Sequence, residues 1–492
     1  MIIDRPRIVF SAMRGNSGKT FLTVGVAASL RRKGKKVFPF KKGPDYIDSA
    51  WLEMAAGYPC YNLDLFLMGR DGLISSFAAQ VQPSDGALVE GNRGLFDGMD
   101  RDGSYSTAEL AKLLQAPVIL IADCSMTTRT VAAAILGCQH FDPQVAIQGV
   151  ILNRIGGARH ESIIRSAVEE RCAVPVLGAV PRIRSGIFPE RHMGLVPPRE
   201  HPGSARAVDE AAQIADRYVD VDRLWEIARG APAVSFENLD GTEQGSIARA
   251  AARKPRIGVI RDSAFWFYYP ENLEALEKTG ASLVECSALG DRKLPPVDAL
   301  YIGGGFPETH AAALAANAGF RESLHAAVEA GLPVYAECGG LMYLGKELIV
   351  EGKAFPMAGV FPFCFHIEGT PQGHGYTILE ADTPNPYFPT GEILHGHEFH
   401  YSHIPDFEEG SFTCAFQVRR GHGIHGRRDG LCHKNVLATY SHLHAAGAKG
   451  WAGALSGQAV SYQRRREFSE PGNEASAVTD LGGRQDACSC RG

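Results

Sequence analysis

Over the first 200 residues, short continuous apolar runs alternate with longer stretches whose apolar residues recur every three to four positions. RIVFSA (7–12) reads as a buried strand, broken at Arg14-Gly15-Asn16-Ser17-Gly18-Lys19-Thr20. TFLTVGVAASLRRKG (20–34) then reads as a helix that stops at Gly34. KVFPFK (36–41), GALVEG (86–91), APVILIAD (116–123) and VAIQGVILNRI (145–155) are further strands, and TRTVAAAILGCQHF (128–141) a further helix. Buried strands alternating with helices predict an α/β fold with a parallel sheet covered on both faces.

The pattern changes after residue 200. ADRYVDVDRLWEIA (215–228) predicts an amphipathic helix, and residues 230–255 hold no period and read as a linker. A second α/β pattern starts at RIGVIRD (256–262), with strands ending in Gly-rich turns at ALYIGGGFPE (299–308) and LPVYAECGG (332–340). From about 355 the chain turns β-like and His-rich, ending in NVLATYSHLH (435–444). Residues 447–492 are rich in Gly, Ser, Ala and charge and are expected to be a disordered tail. The expected division is a first α/β domain over 1–200, helix and linker over 201–254, a second α/β domain over 255–446, and the tail. No internal repeat is visible.

Composition narrows the function. With 492 residues, 45% hydrophobic, each domain can bury a core. Fifty basic against 55 acidic side chains, net −5, argue against nucleic acid as partner. No segment reads as a secretory signal or membrane span. The 11 cysteines lack the spacing of a metal or disulfide framework, so free thiols in the cytoplasm are expected.

The loop at 14–20 is a phosphate cradle by its chemistry. Backbone N–H groups open a helix, Gly15 and Gly18 permit close approach, Lys19 adds a point charge, and the Thr20 hydroxyl can reach Mg²⁺. Met13 stands where the full P-loop pattern has glycine, so the loop is a variant. KKGPDYIDSAW (41–51) puts Asp45 and Asp48 in a turn after a strand, and LVEGNRGLFDG (88–98) puts Glu90 at a strand end and Asp97 in a Gly-rich turn. Strand ends are where α/β sheets bind ligands. One or two of these carboxylates, with Thr20 and phosphates, suffice for Mg²⁺.

KKGPDYID, VEGNRGLFDG and the variant Gly-Lys-Thr loop resemble the synthetase domain of the cobyrinic acid a,c-diamide synthase family, which is related to dethiobiotin synthetase. The resemblance implies that Lys19 and Thr20 bind ATP phosphates and that Thr20, Asp48 and Glu90 hold Mg²⁺. It implies that Asp45 and Asp97 position or activate the substrate carboxylate and that Asn153 reads the adenine. Asp123, at another strand end, is a lesser candidate.

Cys338 lies between an apolar run and Gly339-Gly340, on a strand-to-helix turn. It reads either as a small buried hydrophobe or as a nucleophile on a sharp elbow whose helix N-terminus favours the thiolate. GGGFPE (303–308) offers backbone N–H groups for an oxyanion hole at Gly304 and Gly305, and SHLH (441–444) offers His442 as base. GGGFPE, AECGGLMYLG, GHEFHYS (396–402) and SHLH together resemble class I glutamine amidotransferases of the subgroup fused to that synthetase. The resemblance spans about 7–444. It implies that Cys338 attacks the glutamine amide with His442 as base. It implies ATP, glutamine or ammonia, and cobyrinate as reactants, in cobalamin biosynthesis, and it allows a homodimer. The usual His-x-Glu is absent: His444 stands where the orienting acid would be. The remaining histidines lack the spacing of a zinc site. The same chemistry on hydrogenobyrinate or nickel-sirohydrochlorin, a cobyric acid synthase-like activity, and a partition-type P-loop ATPase are the competing expectations.

Overall fold

The computed structural model describes residues 1–183, 188–191, 194–236, 254–405, 407, 410 and 412–469. The first apolar runs form the strands β1 (Arg7–Ala12), β2 (Val37–Lys42), β3 (Tyr61–Leu63), β4 (Gly86–Glu90), β5 (Val118–Asp123), β6 (Ile147–Ile155) and β7 (Val176–Pro181). They make one all-parallel sheet in the order β3-β2-β4-β1-β5-β6-β7. Strand alternation sends Ile8 and Phe10 to one face, against Leu22 and Val26 of helix α1 (Lys19–Arg32). Val9, Val89 and Leu120 face the other side, with Phe77 of α3 (Leu65–Val81). Helix α2 (Ile47–Ala56) begins two residues after Asp45. Because the sheet is parallel, the loops after β1, β2, β4, β5 and β6 gather at one edge, and these loops carry the candidate nucleotide residues.

The segment after residue 200, expected as helix and then linker, packs onto this sheet. Helices α4 (Ser204–Tyr218) and α5 (Val221–Arg229) bury Ala207, Ala211, Ala215, Leu224 and Ala228 in the core that α1 shares. A methyl on Gly25 of α1 would meet the Ala211 carbonyl oxygen at 2.5 Å, so glycine is what lets the two helices approach. Val234–Ser235 then pairs antiparallel with Ile2–Ile3. The first unit therefore extends past the expected boundary at 200, to at least 236. The rest of the expected linker, 237–253, lies outside the described residues.

The second sheet mixes two halves. Strands β8 (Arg256–Ile260), β9 (Ser282–Cys286), β10 (Ala299–Ile302), β11 (Val334–Glu337), β12 (Gly373–Ala381), β13 (Ile393–His400), β14 (Cys414–Arg420), β15 (Arg428–His433), β16 (Val436–Thr439) and β17 (His442–Leu443) order as β9-β8-β10-β11-β16-β15-β14-β12-β13-β17. The first five in that order are parallel, and the others join antiparallel. The short helix α6 (Gly339–Leu344) follows β11.

The expected disordered tail is corrected in its first part. Residues Trp451–Ser469 form a 19-residue helix, α7. Trp451, Leu455, Ala459 and Tyr462 repeat at helical spacing and are buried, with the Trp451 ring 5.1 Å from Tyr301 and 5.2 Å from Tyr335. The Ser456 hydroxyl shares a 2.6 Å hydrogen bond with Thr279. Gly, Ala and Ser between the anchors hid the period. Residues 470–492 lie outside the described residues.

The two sheets meet through buried side chains. The Tyr376 hydroxyl donates to Asp64 at 2.5 Å, Tyr61 to Glu274 at 2.6 Å and Ser76 to Glu271 at 2.8 Å. Among the described residues no helix is long and apolar enough to cross a membrane.

Candidate active site

At the carboxyl edge of the first sheet, Gly18 closes the loop after β1 with φ of +86°. A methyl there would come 2.4 Å from the Asn153 side-chain nitrogen, so only glycine fits. Asn153 donates to the Ser17 carbonyl at 2.9 Å and accepts from the Arg154 N–H at 2.9 Å, which ties β6 to the loop. Lys19 donates to the Arg93 carbonyl at 2.7 Å. Burial would raise Asp123, but hydrogen bonds from Ser125, its N–H at 3.0 Å, and then Arg14 at 2.8 Å and Arg154 at 2.7 Å hold its carboxyl down at about 2.

Below the loop sits a compact charged cluster. The Thr20 hydroxyl lies 2.7 Å from Glu90 Oε1 and 3.2 Å from Asp48 Oδ2. The Lys41 ammonium donates to the same two oxygens, at 2.9 and 2.6 Å. Sequence reasoning gave Lys41 no role, although a lysine at the end of an apolar strand is a signal that it is paired. Burial alone would push Lys41 down, but the charges of Asp48 and Glu90 hold it well above the usual lysine range. Burial raises Glu90, whereas at Asp48 the Lys41 charge overcomes burial and lowers it. Asp45 caps the start of α2 by accepting the Asp48 N–H at 2.9 Å. Burial and then the Asp48 charge push its carboxyl up to about 7. Asp48 thus stands in the first turn of α2 rather than in the turn expected. Asp97 accepts the Gly94 N–H at 2.8 Å and so shapes the Gly-rich turn.

The second group lies where β11 and β16 end side by side. Cys338 joins β11 to α6 with φ of +47° and ψ of −100°, a backbone that costs about 1–3 kcal/mol outside glycine. Its N–H donates to the Thr439 carbonyl at 2.7 Å, which anchors the elbow to the strand leading to His442. A methyl on Gly340 would strike the Ile302 carbonyl at 2.6 Å, so the turn needs its small neighbours. Gly304 lies against the His442 ring, where a methyl would come 2.4 Å from Cε1, and Gly305 packs beside Gly339. The thiolate expectation does not hold in this state. Burial, followed by the charge of Glu308, pushes the Cys338 thiol well above the ordinary range, and the six-residue α6 does not offset it.

His444 does not face His442. It is buried with Nε2 3.5 Å from Glu271. The acid beside the base is Glu337, the residue immediately before Cys338. Its Oε2 lies 3.5 Å from His442 Nδ1, and its Oε1 accepts the Leu443 N–H at 3.1 Å. Tyr301 and Tyr335 donate to it at 3.2 and 3.1 Å. The acid was sought by sequence spacing from the histidine, whereas it arrives from the neighbouring strand. His397 of GHEFHYS stacks on His442 at 4.8 Å, and burial with the His442 charge keeps it neutral.

Both groups open into one cleft of about 1040 Å³. Gly15, Gly18, Lys19, Thr20, Asp45, Asp48, Glu90, Asp97 and Asn153 line it on one side, and His397, Phe399 and His442 on the other. Cys338 sits behind this wall, its sulfur 4.0 Å from the Phe399 carbonyl. Tyr46, between Asp45 and Asp48, lies flat on Phe267 at 4.7 Å and 5.4 Å from the His442 ring.

Residues 8–195 match the model of the CobQ/CobB/MinD/ParA nucleotide binding domain, and residues 256–450 that of the CobB/CobQ-like glutamine amidotransferase domain. A curated cobyrinate a,c-diamide synthase of Magnetococcus marinus is 43% identical over 95% of this chain and 99% of its own length. Another from Archaeoglobus fulgidus is 41% identical over 90% and 95%. The chain belongs to the cobyrinate a,c-diamide synthase family. As a member of that family it is an enzyme of the amide-ligase class, and its two sheets are a nucleotide-binding and an amidotransferase domain.

Proposed function

We propose that the chain converts the a and c acetate carboxylates of cobyrinate to amides, one after the other, using ATP and the amide nitrogen of glutamine. The observation that carries this is the single cleft lined by both the phosphate loop and His442. The names of the relatives supply the acceptor. A polyanionic acceptor also suits the cations on the cleft between the two groups, Lys42, Arg93 and Arg420.

A carboxylate resists amide formation because its oxygen is a poor leaving group. Transfer of the γ-phosphoryl group from ATP to that oxygen creates an acyl phosphate and ADP, with Lys19 and the loop N–H groups neutralising charge. Thr20 Oγ1, Asp48 and Glu90 are convergent hard oxygen donors, and Glu90 Oε2 is buried without a partner, so the set fits Mg²⁺. When bound there, Mg²⁺ supplies charge neutralisation at the phosphates. Among the described residues no three His, Cys, Asp or Glu side chains gather as a metal cage, so phosphate oxygens complete the set.

At the other wall, His442 takes the Cys338 proton as the sulfur attacks the glutamine amide carbon. The C–N bond breaks, His442 returns the proton to the leaving ammonia, and water hydrolyses the thioester. N–H groups of Gly304 and Gly305 face the developing oxyanion. Ammonia released inside the cleft stays unprotonated, attacks the acyl phosphate carbon and expels phosphate.

Incubation with ATP, Mg²⁺, glutamine and cobyrinate, followed by mass spectrometry, should show two successive acid-to-amide steps. Turnover of hydrogenobyrinate or nickel-sirohydrochlorin in place of cobyrinate would refute the acceptor. Glu337 gives a second test. With Glu337→Gln the carboxylate 3.5 Å from His442 Nδ1 is gone, and glutamine-dependent kcat should fall between about 10²- and 10⁴-fold. Ammonium-dependent turnover should persist; its equal loss would mean a structural role for Glu337.

A further inference from the structure

The oxygens assigned to Mg²⁺ already hold a cation. Lys41 is 1% exposed, and its ammonium sits between Asp48 Oδ2 and Glu90 Oε1, the two oxygens that also converge on Thr20 Oγ1. Its position is fixed by the sheet: Lys41 on β2 is the register partner of Glu90 on β4. A fully buried ammonium is costly unless paired, and here one partner, Glu90, is buried too while Asp48 is only partly exposed. We propose that Lys41 is a tethered countercation that holds the metal seat closed until nucleotide brings Mg²⁺ in.

The inference rests on the assignment of Mg²⁺ to Thr20, Asp48 and Glu90. Two cations cannot share the same pair of buried oxygens without strong repulsion. Three carboxylates, Asp45, Asp48 and Glu90, nevertheless surround the one ammonium of Lys41, so the cluster keeps acceptors for both cations. Lys41 is therefore displaced within the cluster rather than expelled, and Asp45, whose Oδ2 is already 3.8 Å from Nζ, is the carboxylate it turns to. Glu90 Oε2, buried and without a partner, is the oxygen that the ammonium leaves unused and an incoming ion can take. The device makes metal affinity low in the empty enzyme and high once phosphates add their oxygens, so that metal and ATP enter together.

Mn²⁺ binding to the full-length protein, followed by the electron paramagnetic resonance of free Mn²⁺, tests this without reference to turnover. The wild type should bind Mn²⁺ weakly alone and tightly with ATP; tight binding without nucleotide would overturn the proposal by itself. Lys41→Met and Lys41→Gln should each bind nucleotide-free Mn²⁺ at least about tenfold more tightly than the wild type. Circular dichroism and glutamine hydrolysis report that each variant is folded, and the Gln variant keeps a polar group if Met does not fold. A folded variant with wild-type Mn²⁺ affinity overturns the role of Lys41. If at the same time Glu90→Gln abolishes Mn²⁺–ATP binding, the metal assignment stands and only Lys41 falls. If the gain in Lys41→Met survives in the Lys41→Met, Glu90→Gln double variant, the metal assignment itself is wrong.

Discussion

Cys338→Ser is expected to lower glutamine-dependent amidation by roughly 10³-fold or more while leaving ammonium-dependent amidation near the wild-type rate. Serine keeps the size and can adopt the same backbone, but its oxygen is far harder to deprotonate than sulfur. The synthetase residues are untouched by this change and line the same cleft, so free ammonia can still reach the activated carboxylate. Parallel assays with glutamine and with ammonium chloride read the split. Full glutamine use by the serine variant would remove the nucleophile assignment, and loss of both activities would show that the elbow supports the acceptor site as well. The raised Cys338 thiol adds a physical point. Burial and then the Glu308 charge push the sulfur's pKa up, so activation rests on a base that takes its proton rather than on a standing thiolate.

Glu90→Gln is the second large effect. ATP-dependent amidation should fall by at least about 10²-fold with either nitrogen source, because an uncharged amide neither binds a hard cation well nor balances Lys41. Glutamine hydrolysis at Cys338, measured without acceptor, should remain. Asp48→Asn should behave alike, since Asp48 and Glu90 share both Thr20 and Lys41. Normal turnover in both variants would eliminate the metal site. The two variants thus sever opposite halves of one reaction, and only the nitrogen source tells them apart.

Much of the first domain was legible because a parallel sheet buried on both faces writes continuous apolar runs. The runs at 7–12 and 36–41 correspond to strands at Arg7–Ala12 and Val37–Lys42. What escaped was an element whose packing uses small side chains. Helix α7 sets Trp451, Leu455 and Tyr462 among Gly and Ser, so it shows no strong apolar stripe. In the site, residues next to one another in a motif were found, whereas those brought together by strand pairing were not. Lys41 meets Glu90 across β2 and β4, and Glu337 meets His442 because β11 and β16 run parallel. No spacing along the chain encodes either pair. His444 shows the converse: it sits at the spacing of an orienting acid and yet turns to Glu271.

Tyr46 gives the contact between domains a thermodynamic meaning. Its ring belongs to the loop bearing Asp45 and Asp48, yet it is buried among Phe267, Tyr269 and His442 of the other domain. Domain pairs joined only by a tether unfold separately, whereas those sharing a core melt together. The described chain should therefore lose ATP-dependent and glutaminase function in a single denaturant transition, with coincident midpoints. A separated amidotransferase half would lack the aromatic wall of its own histidine, so neither half is a free-standing module that could be exchanged for another.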